Sequence, residues 1–99
     1  MYRIEFSTNA SRDLTELRTY DRTEVGQAIV EQLSREPRTP TRSRKLLAGV
    51  TPPFDAVPPL WQLRAGEYRV FYDVNEEEKK VYVRALRRKP PHKSTEDVL

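Results

Sequence analysis

An α+β fold is predicted for this 99-residue chain by three observations: one alternating segment at the N-terminus, two apolar stripes at helical spacing behind it, and three alternating segments beyond residue 60. Together they order the elements as strand, helix, helix, strand, strand, strand, a helical hairpin packed on an antiparallel β-sheet. The length suits one domain spanning residues 1–99.

Tyr2, Ile4 and Phe6 alternate with Arg3 and Glu5, the period of a half-buried strand. Ser7 or Thr8 then offers an oxygen to cap a helix on which Ala10, Leu14 and Leu17 form the apolar stripe. Asp21 followed by Glu24 has the spacing of a capping box, and Val25, Ala28, Ile29 and Leu33 make a second stripe. Pro37 and Pro40 stop that helix, because proline donates no amide hydrogen and disfavours helix in the residue before it. The following stretch, with Arg38, Arg42, Arg44 and Lys45, reads as a basic connector. Pro52-Pro53 and Pro58-Pro59 bracket a stiff, extended loop. Leu60–Ala65 and Tyr68–Val74 then form a hairpin about Gly66, with Trp61, Leu63, Tyr68, Val70 and Tyr72 on the core face. A polar turn at Asn75–Glu78 leads into a last strand over 79–86, whose Val81, Val83 and Ala85 alternate with Tyr82, Arg84 and Leu86. Ser94-Thr95-Glu96-Asp97 resembles the cap of a short C-terminal helix.

Composition narrows the function. Only 36% of residues are hydrophobic, so the core is thin and a partner is expected to complete it. The net charge of +3 is small, but the cations are clustered rather than spread evenly. No run approaches the ~18 apolar residues of a membrane span, and Met1–Phe6 lacks the basic-then-apolar order of a signal peptide, so no membrane and a cytoplasmic location are expected. With no cysteine and one histidine, neither a metal site nor a cofactor is expected.

The element order, the hairpin Trp61-Gln62-Leu63-Arg64-Ala65-Gly66-Glu67-Tyr68-Arg69-Val70-Phe71-Tyr72, the turn Lys45-Leu46-Leu47-Ala48-Gly49 and the strand end Val81–Lys89 resemble the RelE/ParE toxin superfamily of bacterial type II toxin–antitoxin systems. The resemblance implies a toxin neutralised by a cognate antitoxin, with operator DNA reached only through that antitoxin. It implies one of two activities: a ribosome-dependent mRNA endonuclease of the RelE kind, or an inhibitor of DNA gyrase of the ParE kind. A non-catalytic antitoxin-binding module acting in operon autoregulation is the third reading. Fold does not choose among them.

For an endonuclease without metal, arginine is suited to the charge that develops on phosphorus, because its planar guanidinium meets phosphate with two parallel hydrogen bonds. By the resemblance Arg69 is the phosphate-binding hairpin arginine, Arg64 its neighbour, and Lys89 stands where the family has a second arginine. The plainer reading of Arg64 and Arg69 is surface strand residues paired with Glu67 or Asp73. His92 is the candidate acid or base because an unperturbed imidazole titrates near neutrality, and in its Pro-Pro-His-Lys setting it also reads as plain surface. Arg42, Arg44, Lys45, Arg87, Arg88 and Lys93 are the candidate RNA contacts, suited to positioning on a phosphate backbone. Gln62 and Thr95 stand where the family carries a lysine and a tyrosine, which leaves the proton acceptor unassigned.

Overall fold

In the computed structural model, which describes residues 1–90, 93, 94 and 99, each alternating segment becomes a strand and each apolar stripe falls on a helix, except that Leu17 lies just beyond the end of the first. The elements are β1 (Arg3–Phe6), α1 (Thr8–Thr15), α2 (Thr19–Leu33), β2 (Arg44–Leu47), β3 (Leu60–Ala65), β4 (Tyr68–Asn75) and β5 (Lys80–Arg88). The five strands form one sheet in the order β1-β5-β4-β3-β2. All neighbours are antiparallel except β1, which runs parallel to β5, so the sheet is mixed.

Ser7 is the cap of α1. Its Oγ accepts the Ala10 amide at 3.0 Å and donates to the Arg84 carbonyl at 2.9 Å, joining the helix start to the sheet. A cap of this kind contributes about 1 kcal/mol. The expected capping box of α2 does not form. The helix starts earlier, at Thr19, and Asp21 instead accepts hydrogen bonds from the Arg18 guanidinium and the Tyr68 hydroxyl at 3.1 Å each.

Ala10, Val25, Ile29 and Leu33 from the helices close over Trp61, Leu63, Val70, Tyr72, Val81, Val83 and Leu86 from the sheet. Tyr72, fully buried, donates to the Pro37 carbonyl at 2.6 Å and fixes the chain where α2 ends. The other face of the sheet carries a second, smaller cluster of Leu47, Leu60, Phe71 and Ala85, covered by Val50, Phe54 and Ala56 of the proline-rich loop. The Pro58-Pro59 peptide bond in that loop is cis.

Two further sequence expectations are corrected. The basic connector contains a strand: Arg44–Leu47 pairs with Leu60–Leu63, and Arg44 lies on the helix side. The last strand reaches Arg88 and does not alternate throughout, because Phe71 pairs with Ala85 while Tyr72 pairs with Val83, leaving Arg84 as an extra residue in a β-bulge. Beyond it the faces exchange, so Leu86 joins the main core and Ala85 the smaller cluster. The expected C-terminal helix falls largely on residues outside those described.

Candidate functional site

The face of the sheet turned away from the helices is apolar under the proline-rich loop and cationic beside it. Register sets the pattern: Lys45 stands opposite Gln62, Arg64 opposite Arg69, and Arg69 opposite Arg87. These side chains share one face because residues paired across a ladder point the same way. Thr41 prepares the entry to β2, its hydroxyl accepting the amides of Ser43 and Arg44 at 3.2 and 3.1 Å in a side-chain-closed turn. Gly66, at φ +61°, provides the left-handed residue that returns β3 into β4.

Thr41, Arg42, Ser43, Lys45, Gln62, Arg64, Arg69 and Lys89 line an open cleft of about 240 Å³ on this face. Among the described residues its lining includes no carboxylate. Arg69 is curled over the hairpin, with its Nη1 donating to the carbonyls of Gly66 and Tyr68 at 3.0 Å each. Partial burial, and then the neighbouring Arg64 charge, lower its pKa from the ordinary arginine value, the direction expected of a cation held where an anion is wanted. Lys89 enters from the end of β5, its amide held by the Glu67 carbonyl at 2.7 Å. Such a set is chemically suited to an anion with several phosphate-like oxygens.

The cleft thus brings together Arg69, Arg64, Lys89, Arg42 and Lys45 of the predicted site. Arg44 is a correction. It is only 8% exposed, and its guanidinium donates to the carbonyls of Gln32 and Thr39, so it closes the C-terminal end of α2. A cation there complements the partial negative charge of the helix terminus. Arg87 faces the right side but is held by Asp13 Oδ2 at 2.9 Å, at the sheet edge. Arg88 is paired with Glu67 at 3.3 Å, and Lys93 is exposed beyond the sheet. Both lie outside the cleft lining. His92 is outside the described residues.

Thr41 and Ser43 were not singled out by the sequence. The only signal they offered was their alternation with Arg42 and Arg44 ahead of Lys45, hidden while this stretch was read as a connector. Asp13, which accepts the Leu86 amide at 3.1 Å as well as Arg87, looked like one more polar residue on an exposed helix face. Among the described residues, no group of His, Cys, Asp or Glu could hold a metal ion, and no helix is long and apolar enough to cross a membrane.

A family model described as the ParE toxin of the type II toxin–antitoxin system parDE matches residues 4–89. Among solved structures, the chain is 27% identical to a chain of the toxin–antitoxin complex RelBE2 from Mycobacterium tuberculosis, with a TM-score of 0.69, covering 89% of this chain and 98% of that one. It is similar in fold to a chain of the archaeal RelE–RelB complex from Pyrococcus horikoshii, with 24% identity, a TM-score of 0.68 and coverage of 94% and 98%. The isolated RelE toxin of E. coli matches at 23% identity and a TM-score of 0.69, covering 96% and 89%. No curated protein sequence matches the chain.

Proposed function

The chain belongs to the ParE toxin family of type II toxin–antitoxin systems, and from that premise we propose that it arrests growth by cutting messenger RNA on the ribosome. The observation that carries this reading is the facing pair Arg64 and Arg69 inside a cleft that also holds Arg42, Lys45 and Lys89. In RNA cleavage the 2′-oxygen attacks the adjacent phosphorus, the bond to the 5′-oxygen breaks, and charge builds on the two non-bridging oxygens. Two guanidiniums fixed by a β-hairpin are preorganised for that charge, which is where a catalyst gains most. A cognate antitoxin is the expected partner, as in the toxin–antitoxin complexes to which the chain is similar.

The test is induction of the chain and of Arg69→Ala in cells, followed by mapping of transcript 5′ ends. Cuts inside translated codons that disappear with Arg69→Ala support the endonuclease. The lining of the cleft, with no carboxylate or imidazole among its described members, favours a second reading: a gyrase inhibitor that acts by contact and needs no proton transfer. Growth arrest with intact transcripts and stabilised DNA breaks would move the assignment there.

A further inference from the structure

The cationic face does not end at the cleft. The row Arg64–Arg69 continues in register to Arg87 on β5, one strand further on. There the surroundings change from hydroxyls and cations to an aromatic ring. The Arg87 guanidinium lies over the Phe54 ring, 5.8 Å from its centroid, and Phe54 is itself backed by Phe71 at 6.0 Å between ring centroids. Asp13 holds one edge of the guanidinium at 2.9 Å, and the Leu86 carbonyl accepts from the same nitrogen at 2.9 Å. An arginine fixed at its edge keeps a flat face available, and the Arg87 side chain is one-third exposed.

We infer that Arg87, backed by Phe54 and oriented by Asp13, is a stacking platform for one base of a single-stranded RNA whose neighbouring phosphate lies on Arg64 and Arg69. Guanidinium planes and aromatic rings are the surfaces on which unpaired bases stack, whatever their identity. Placement supports the assignment. Among its described residues the cleft offers phosphate ligands but no aromatic side chain, and this pair is the partly exposed π-surface next along the register row. Adjacent strands are about 4.8 Å apart, so the platform stands one strand spacing from the phosphate pair, within reach of the next nucleotide. Asp13 acts here as a positioning residue, because it touches Arg87 rather than the RNA.

This inference rests on the cleft's being an RNA site, and the experiment separates the two. Binding of the full chain to a single-stranded RNA octamer is compared with binding to the same octamer carrying an abasic residue at each position in turn, at low salt. The expected result is one position at which the abasic change weakens binding about tenfold, a typical size for one stacked base. Arg87→Lys keeps the charge and the reach to Asp13 but not the plane; it is expected to abolish that difference. Asp13→Asn should reduce the difference, and Arg64→Ala should weaken all octamers alike. Equal binding of every abasic octamer, or an undiminished difference in Arg87→Lys, overturns the platform while leaving the cleft intact. No binding of any octamer overturns both.

Discussion

Arg64 and Arg69 stand directly opposite each other across the β3–β4 ladder, two like charges in paired positions. Such pairs destabilise a sheet. Arg69 is steadied locally by the carbonyls of Gly66 and Tyr68. Replacing Arg64 with threonine is therefore expected to raise unfolding free energy by about 0.5 kcal/mol while weakening RNA binding and cleavage. Urea denaturation read against transcript cleavage checks this; a loss of both stability and activity would show that repulsion is not what governs the pair.

Arg44 and Lys45 are neighbours in sequence with opposite expected behaviour. Arg44→Ala leaves the Gln32 and Thr39 carbonyls without their charged donor, so a loss of about 2 kcal/mol in stability is expected. Lys45→Ala, on the exposed side of β2, should change stability by less than about 0.5 kcal/mol and act on binding alone. The same denaturation series on the two variants decides it.

Salt dependence reports the cleft directly. Each cation that neutralises a phosphate of a single strand contributes about −0.7 to the slope of log K against log salt. Removing Arg69 or Lys89 one at a time should flatten the slope by about that amount each. Arg44→Ala should leave it unchanged, since its guanidinium faces the helices. A slope that responds to Arg44 and not to Arg69 would place the nucleic acid elsewhere.

Tyr72 gives the alkaline limb of stability. Burial raises its pKa well above the ordinary tyrosine value, so the unfolded chain releases this proton first as pH rises. The stabilisation is complete below the unfolded pKa of ~10 and is lost progressively above it. Tyr72→Phe should cost about 1–2 kcal/mol near neutrality, because the Pro37 carbonyl loses its partner, and should flatten the decline above pH ~10. Parallel unfolding curves at pH 8 and pH 11 measure both effects.

Much of this fold was legible because alternation and helical spacing survive in the sequence wherever one face meets the core. Tyr68, Val70 and Tyr72 sit on the helix side as their spacing required, and Arg69 on the other. Three things were hidden for physical reasons. Edge strand β2 is only four residues long and holds an arginine on its core side, so its pattern resembles a basic loop. Arg44 and Lys45 look alike as cations, and only tertiary contact separates a helix-closing residue from a cleft residue. Asp13 meets Arg87 across 74 positions of chain, a pairing no local spacing announces.

The bulge at Arg84 makes chain length in β5 matter more than residue identity. Leu86 and Arg87 owe their sides of the sheet to one surplus residue between the pairs Tyr72–Val83 and Phe71–Ala85. Deleting Arg84 would close the bulge and restore simple alternation with Leu86 and Arg87 on their present faces, whereas one residue inserted between 84 and 86 without a wider bulge would put cations and apolar groups on exchanged faces. This short stretch therefore tolerates the loss of its surplus residue better than the gain of another.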